Sequence, residues 1–381
     1  MFLFKSEKVG FDRILLIAAL LLLCIGLVVI SSASSMEAQV KFDDAFYQTK
    51  KHIIAIGIAL IVGFVCATIP TSFYKEHALK ALFIIFLMLI LVLVVGREIN
   101  GAKRWLSLGI MNLQPSELLK LCWILYFSGY ISKHIESVSK TIKGFVMPFV
   151  ILFGFLVSLL LQPDFGSVVV LTFITTALLW IAGAGLIKYI VVVIILALGA
   201  VVSVVFSPYR VKRVTSFLDP WQDQFGSSFQ LTQSLMAYGR GGLFGQGLGN
   251  SNIKQGYLPE AHTDFITAIL GEEFGFVGMI VLLLLEGVIV YKAVKLGMNI
   301  LKNDAIYQGY AAFGIGMWFF LQTVINVGVA SGALPTKGLT IPLVSYGGSS
   351  MISCCMAIAI LLRIDFEWRN NAISDKRKNE S

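Results

Sequence analysis

The sequence predicts an all-α integral membrane protein with about ten transmembrane helices, and three observations support this. Of the 381 residues, 57% are hydrophobic and only 14% are charged, whereas a soluble domain carries about 25% charged residues. Apolar stretches recur at lengths near the ~20 residues that cross a bilayer, and the mean hydropathy is +0.83. Lysine and arginine are concentrated in alternate short loops, which predicts cytoplasmic N and C termini and one large extracytoplasmic loop between helices 7 and 8.

The apolar stretches give the order of the elements. The first, from Ile14 to Ile30, is longer than the roughly 7–15 apolar residues of a signal peptide, so we predict an uncleaved first helix. The predicted spans are 14–33, 52–69, 78–96, 116–132, 144–162, 166–183, 186–207, 265–291, 306–331 and 341–362. The predicted regions are a short cytoplasmic N-terminus (1–13), helices 1–7 (14–207), the large loop (208–264), helices 8–10 (265–362) and a cytoplasmic tail (363–381).

Composition argues against several other classes of protein. The net charge of +8 is scattered over short loops, as topology signals are, so we expect no nucleic-acid partner. The five cysteines lie in apolar runs and are expected to pack as small hydrophobic residues. The four histidines are far apart and show no zinc-ligand spacing.

Polar residues near the outer membrane surface are the first candidates for chemistry. Glu117 and Lys120 are three residues apart on one helix face, where they form either a structural ion pair or a substrate contact. Lys103, Arg104 and Trp105 could receive a phosphate and an amphipathic headgroup, although interfacial anchoring is the commoner role for such residues.

The turn 162–166 and the large loop supply further candidates. Asp164 could cap the next helix or contact a hydroxylated ligand. The loop opens with a basic cluster that includes Arg213, and a glycine-rich run that includes Arg240 follows. This run lacks the Gly-Lys-Ser/Thr of a phosphate-binding loop. Two interpretations remain, a flexible outer gate and a re-entrant turn. Short helices on the membrane surface are expected here.

The loop re-enters the membrane through a segment that contains Glu260, His262, Thr263 and Asp264. Asp264 is either the N-cap of the eighth helix, where the helix dipole favours a carboxylate, or a general base at the mouth of a cavity. Within that helix, at least one of the adjacent Glu272 and Glu273 must point into the bundle. Charged residues crowd the outer half of the membrane, which favours an enzyme of the outer face over a transporter.

The ninth and tenth helices add polar groups of another kind. Gln322 and Asn326 are four residues apart and predict a polar stripe between helices. Ser345 and Ser349 lie in a run of small residues that predicts a packing face.

Several of these segments together resemble the SEDS family (shape, elongation, division and sporulation proteins). The resemblance rests on 101–105, 114–120, 162–166, 257–265, 271–273 and 335–350, in the same order, and covers Phe11 to Arg363. Residues 216–223, 245–251 and 334–339 are most similar to the division branch of the family, with an elongation role second. Asn112 departs from the basic residue that many division members carry there, which weakens any phosphate contact assigned to it.

The resemblance implies a peptidoglycan glycosyltransferase at the outer face of the bacterial inner membrane, at the septum. Such enzymes polymerise lipid II, a disaccharide-peptide on undecaprenyl pyrophosphate, and the family's essential acid falls on Asp264. The transfer inverts the sugar linkage, so a single displacement with Asp264 as general base is expected. A divalent cation such as Mg²⁺ or Mn²⁺ is a possible cofactor with unknown ligands.

The resemblance also implies partners, namely a class B penicillin-binding protein that cross-links the strands and other septal division proteins. Two alternatives remain, a lipid II flippase and a non-catalytic division scaffold. The predicted substrate-binding residues are Lys103, Arg104, Trp105, Gln114, Glu117, Lys120, Asp164, Arg213, Arg240, Lys254, Glu260, His262, Thr263, Glu273, Ser345 and Ser349.

Overall fold

A computed structural model describes the chain from residue 10 to residue 379, apart from residues 100, 101, 108, 110, 111, 207–210, 212–216, 227, 255–257, 259, 260, 336 and 337. At 97, 99, 195–198, 200–204 and 372–379 it describes the backbone alone. The helices are α1 (Arg13–Phe42), α2 (Tyr47–Thr68), α3 (Thr71–Val95), α4 (Pro115–Lys140), α5 (Ile142–Leu161), α6 (Phe165–Ile181), α7 (Leu186–Val205), α8 (Phe229–Gly241), α9 (Ile266–Leu301), α10 (Ile306–Ala330) and α11 (Gly348–Asn379).

The prediction of a helical, multi-pass membrane protein is confirmed. Among the described residues, 7 helices are long and apolar enough to cross a membrane, and α6 is apolar but shorter. Each predicted span overlaps one helix in chain order. Several helices run past the predicted spans, because hydropathy marks the lipid-facing part of a helix and not its hydrogen-bonded length.

The predicted tail begins inside a helix, since α11 continues to Asn379. Two pairs spaced at i,i+4 support this extension: Arg363 Nε lies 2.7 Å from a carboxylate oxygen of Glu367, and Arg369 Nε lies 2.8 Å from Asp365. A polar composition therefore does not end the helix at residue 362.

A small β-sheet departs from the all-α prediction. Strands β1 (Arg97–Ile99), β2 (Ala102–Ser107) and β3 (Asn112–Leu113) form an antiparallel sheet in the order β1-β2-β3 between α3 and α4. The pairing satisfies backbone N–H and C=O groups beside the apolar bundle, where an irregular loop would leave them without partners.

Helices α4, α10 and α11 form the centre of the bundle. In the most apolar window of α10, 67% of the residues are buried, against 28% in α2 and α3. Trp123, Phe127, Trp318 and Phe319 are fully buried between α4, α6 and α10. The apolar residues that α2, α3 and α5 expose are therefore the surface that faces lipid.

Helix α9 is broken at Gly275, whose φ of 67° and ψ of −163° interrupt the helix. The glycine segment (residues 241–249) docks into this break. The N–H groups of Gln246 and Gly247 donate to the carbonyls of Glu272 and Glu273, at 2.9 and 3.0 Å. In return, the N–H groups after the break, of residues 276 and 277, donate to the carbonyls of residues 242 and 243. Of the two predictions for the glycine run, a re-entrant turn fits this docked segment better than a flexible gate does.

Helix α8 packs beside the same break. Its buried residues include Leu231, Ser234 and Ala237, and Ser234 Oγ donates to the carbonyl of Ala330 at the end of α10, at 2.7 Å. It is therefore held between α9 and α10, and does not lie free on a membrane surface. We call the end of the bundle at which α9 begins and α10 ends the loop end.

An ion-pair network ties the chain together at the opposite end. Asp12 caps α1 and accepts a hydrogen bond from Lys292 Nζ of α9 at 2.8 Å, while its N–H donates to Asp365 of α11 at 2.8 Å. Burial raises the pKa of Asp12, but the Lys292 hydrogen bond and the N–H groups of Leu15 and Ile14 lower it by more. The pKa of this carboxyl is therefore below its ordinary value of 3.8.

Candidate active site

Asp264 lies at the loop end, in the turn that leads into α9. The N-cap of α9 is Phe265, so the proposed capping role of Asp264 is not what the structure shows. The backbone around Asp264 is fixed by Asn326 of α10, whose Nδ2 donates to the carbonyls of Asp264 at 2.9 Å and of Leu339 at 2.6 Å. Asn326 thus joins the Asp264 turn to the segment 338–347.

The carboxylate of Asp264 packs directly against Gly338. A Cβ atom added to Gly338 would overlap Oδ2 of Asp264 and lie 2.9 Å from its Cγ. Only a glycine leaves space for the carboxylate in this position, and the side chain of Asp264 remains partly exposed. The position suits a base that must reach a substrate hydroxyl.

His262 connects this turn to α1 and to the segment 338–347. Its Nδ1 lies 3.5 Å from Oε2 of Glu37 at the end of α1, and its carbonyl accepts a hydrogen bond from the N–H of Tyr346 at 3.0 Å. The rings of His262 and Tyr346 pack edge to face, with centroids 5.4 Å apart. Thr263, between His262 and Asp264, is half-buried.

Glu117 and Lys120 form the buried ion pair predicted from their spacing. Lys120 Nζ lies 2.7 Å from Glu117 Oε1 and 3.2 Å from Oε1 of Gln322, and its side chain is 0% exposed. Gln322 in turn donates to the carbonyl of Thr340 at 2.8 Å and accepts from the indole N–H of Trp318. The pair therefore stabilises the junction of α4, α10 and the segment 338–347, while Glu117 Oε2 has no partner among the described residues.

A second buried pair joins the loop before the Asp264 turn to α9 and α1. Lys254 Nζ lies 3.0 Å from Glu273 Oε1 and donates to Ser32 Oγ of α1 at 2.8 Å. The adjacent Glu272 points elsewhere: it accepts from Asn252 N–H at 3.1 Å and lies 3.4 Å from Nε of Arg240. Both glutamates are buried, so the prediction that at least one faces the bundle interior is confirmed.

The strand residues meet the α5–α6 turn. Arg104 donates from Nε to the carbonyl of Gln162 at 3.0 Å and from Nη2 to that of Pro163 at 2.6 Å. Asp164 caps α6, accepting from the N–H of Ser167 at 3.2 Å and from its hydroxyl at 2.8 Å. Both side chains have structural partners here, and their substrate contacts stay predictions.

Other predicted residues lie on β2, just before α4 and in the segment 338–349. Lys103 is exposed on β2 opposite Glu98, and Trp105 is half-buried. The N–H of Gln114 donates to Ser349 Oγ at 2.8 Å, and Ser345 Oγ accepts from the N–H of Ile341 at 2.9 Å. The two serines therefore hold the segment 338–349 in place. Arg213 and Glu260 lie outside the described residues.

Three contributors were not singled out from the sequence. Ser32 and Glu37 lie at the loop end of α1, and the signal was the serine cluster followed by an acidic residue after an apolar run. Glu286 lies beyond the break in α9, 1% exposed, and neither carboxylate oxygen has a partner among the described residues. Glu286 is therefore a buried ionisable group away from the loop end, an exception to the predicted crowding of charged residues in the outer half of the membrane.

A metal site gains no support from the part of the chain that the structure describes, where no cluster of three or more histidine, cysteine, aspartate or glutamate side chains converges. The divalent cation remains a prediction from the chemistry of a pyrophosphate leaving group.

A family model described as cell cycle protein, for FtsW, RodA and SpoVE, matches residues 12–370. A probable peptidoglycan glycosyltransferase FtsW of Tolumonas auensis is 50% identical over 368 residues, which is 96% of this chain and 95% of the relative.

Two solved structures share the fold. A chain from a study of polymerization and crosslinking by a peptidoglycan synthase complex is 28% identical with a TM-score of 0.77, covering 94% of this chain and 98% of that chain. The rod shape determining protein RodA of Thermus thermophilus is 27% identical with a TM-score of 0.69, covering 94% and 97%.

Proposed function

Because the chain belongs to the FtsW/RodA/SpoVE family of cell cycle proteins, as the motif resemblance predicted, we propose that it is a peptidoglycan glycosyltransferase that polymerises lipid II. The relatives of high identity carry the division name FtsW, which supports septal cell-wall synthesis over an elongation role. The bundle crosses the inner membrane with about ten helices, both termini in the cytoplasm and the loop end outside.

The observation that carries the mechanism is the position of Asp264. Its carboxylate packs on Gly338 at the loop end, and Asn326 holds the backbone on either side of the contact. In our proposal this carboxylate takes the proton from the acceptor sugar hydroxyl while the oxygen attacks the anomeric carbon of the donor. The bond to pyrophosphate breaks in the same displacement, so the α-linked donor gives a β-linked polymer.

Cationic and polar residues around Asp264 bind the substrates. Lys103 on β2 and Arg240 on α8 are exposed cations that could receive the leaving pyrophosphate, and Arg104 follows Lys103 on the strand. Lys120 and Lys254 are buried with carboxylate partners and position the walls of the site. Arg213, Glu260, Thr263 and the other predicted residues complete the proposed set.

A class B penicillin-binding protein is the proposed partner. The similarity to a chain from a peptidoglycan synthase complex supports it, since polymerised strands must be cross-linked by a second active site. Other septal division proteins join this pair at the septum in our proposal.

The test is polymerisation by purified protein with its transpeptidase partner and lipid II in detergent, read as glycan polymer on a gel. We expect wild type to polymerise and Asp264→Asn to be slower by about 10²–10⁴-fold, the contribution of a general base. Asp44→Asn, an isosteric change in the turn between α1 and α2, is the matched control and should retain activity. If Asp264→Asn polymerised lipid II at the wild-type rate, Asp264 would not be the general base.

Lipid II translocation is the second candidate, and buried Glu286 is the observation that favours it, because a headgroup path needs polar groups at depth. Failure of wild type to polymerise, together with translocation in vesicles that Glu286→Gln abolishes, would establish this function instead. A non-catalytic scaffold would show neither activity and would tolerate Asp264→Ala in growing cells.

A further inference from the structure

A cavity of about 610 Å³ lies between α1, α2, the end of the glycine segment and the loop that follows it. It is separate from the contact between Asp264 and Gly338. Its lining combines two kinds of residue, one polar and one apolar, which face the same space.

The polar part of the lining contains Ser31, Ser32 and Ser35 of α1, Thr49 of α2 and Lys254. Thr49 is 8% exposed, and its hydroxyl has no hydrogen-bond partner among the described residues. Buried hydroxyls are almost always hydrogen-bonded in native proteins, so an orphaned one that lines a cavity points to a ligand.

Lys254 also retains hydrogen-bonding capacity in the cavity. It is 9% exposed, and its ammonium donates to Ser32 Oγ and Glu273 Oε1, which leaves one of its three N–H groups for a ligand. Because Glu273 balances its charge, the cavity is not strongly cationic. A phosphate there would be held by hydroxyl and ammonium hydrogen bonds more than by net charge.

The apolar part of the lining faces the membrane. Leu27 and Val28 of α1, Phe46, Ile53 of α2 and Leu248 line the cavity, and Val28, Ile53 and Leu248 are between 44% and 56% exposed. Exposed apolar side chains on membrane helices face hydrocarbon, so the cavity opens sideways into the bilayer. A hydrocarbon chain can lie along these residues while its polar head reaches the serines.

The cavity borders the candidate active site through α1 and α2. Glu37, two residues after Ser35, contacts His262, which precedes Asp264 by two residues. On α2, the ring of His52 lies 5.7 Å from that of Tyr346, whose N–H binds the His262 carbonyl. A lipid head in the cavity is thus one layer of side chains away from the Asp264 turn.

We propose that this cavity binds a polyprenyl phosphate lipid at the junction of its chain and its phosphate, and admits it from the bilayer toward Asp264. The proposal rests on the proposed function, which requires a substrate on a polyprenyl carrier. The chain lies on Leu27, Val28 and Ile53, and the phosphate is bound by Thr49, Lys254 and the α1 serines.

The experiment places a photoreactive p-benzoylphenylalanine at Val28, with the same residue at Leu21 as matched control. Leu21 is 46% exposed on the same helix, two turns away, and does not line the cavity. The protein is reconstituted in phosphatidylethanolamine and phosphatidylglycerol vesicles that contain undecaprenyl monophosphate, and captured lipid is identified by mass spectrometry. Both positions are also tested in the Asp264→Asn background.

We expect undecaprenyl adducts at residue 28 to exceed the share of this lipid in the vesicles by about tenfold, a preference of ~1.4 kcal/mol. At residue 21, adducts should follow vesicle composition. Adducts at residue 28 that also follow vesicle composition would overturn the proposal, since any membrane phospholipid would then occupy the cavity.

Activity separates this proposal from the function on which it rests. We expect Val28→Trp to raise the KM for lipid II about tenfold by filling the cavity, and Leu21→Trp to leave it unchanged. Unchanged kinetics in Val28→Trp would contradict the site while leaving the enzyme intact. Selective capture by a protein that does not polymerise would support the site and contradict the function.

Discussion

At the scale of single residues, the contact between Asp264 and Gly338 gives a direct test of how closely the proposed base must be held. Gly338→Ala places a Cβ where Oδ2 of Asp264 lies, so the carboxylate must move. Because a misplacement of about 1 Å can cost roughly 10²-fold in rate, we expect polymerisation to fall by about that factor. The measurement is the initial rate of polymer formation.

Gly347→Ala in the same segment is the control for this substitution. Its added Cβ would meet Ser350 at 3.5 Å, an ordinary contact, so activity should be retained. Equal loss in both variants would mean that the segment tolerates no substitution, and the contact with Asp264 would lose its special role.

The Glu117–Lys120 pair gives a second prediction at this scale. Removing either partner, in Glu117→Met or Lys120→Met, leaves a buried charge uncompensated and should cost about 3–5 kcal/mol of stability. The double variant should recover much of that stability but no polymerisation, because we propose that the charged pair positions the wall of the site. Unfolding temperature in detergent and polymer yield, measured on all three variants, check this.

Recovery of both stability and polymerisation in the double variant would make the pair purely structural. If the double variant recovered neither stability nor polymerisation, the fold would depend on this junction for reasons other than the charge pairing and its hydrogen bonds.

Local spacing predicted the pairing of Glu117 with Lys120, three residues apart, and the capping role of Asp164. It could not predict that Lys254 binds Ser32, 222 residues away, or that Asn326 fixes the backbone of Asp264. A pattern along one helix reveals neighbours on that helix, whereas partners on other helices depend on how the bundle packs. The motif resemblance predicted Asp264 as the catalytic acid, and the contact of its carboxylate with Gly338 became visible only in the folded chain.

At the scale of elements, hydropathy predicted the order and approximate position of the long helices but not the break in α9. Gly275 occurs in a stretch that also contains Gly271 and Gly278, so composition alone does not single it out. The break persists because the glycine segment supplies the hydrogen bonds that the helix loses. The β-sheet was missed for a similar reason, since its strands are short and half-exposed.

The docking of the glycine segment into α9 can be tested by substituting two glycines that have similar backbone conformations. Gly245 and Gly249 have φ of 82° and 85°, so alanine strains both by about 1–2 kcal/mol. A Cβ on Gly245 would also overlap the Glu273 carbonyl, while Gly249 has open space. We expect Gly245→Ala to lower the unfolding temperature markedly more than Gly249→Ala does. Equal effects would contradict the docked arrangement.

At the scale of the whole molecule, Asp12 joins three helices at the end opposite the active site. Its lowered pKa means that its stabilising contribution is present above pH 3.8 and is lost as the pH falls through the folded-state pKa. We expect Asp12→Asn to unfold at a lower temperature than wild type at pH 7. The difference should shrink on acidification below pH 3.8, and a difference independent of pH would contradict the assignment.

The break in α9 has a consequence for how the protein is made. The carbonyls of Glu272 and Glu273 and the N–H groups of residues 276 and 277 have their partners in a segment that precedes the helix in the chain. If α9 enters the bilayer while that segment is still undocked, four backbone groups face hydrocarbon, at several kcal/mol each. We therefore expect the loop to be translocated before α9 leaves the insertion machinery. The glycine segment and α9 should then enter the bilayer together as one unit.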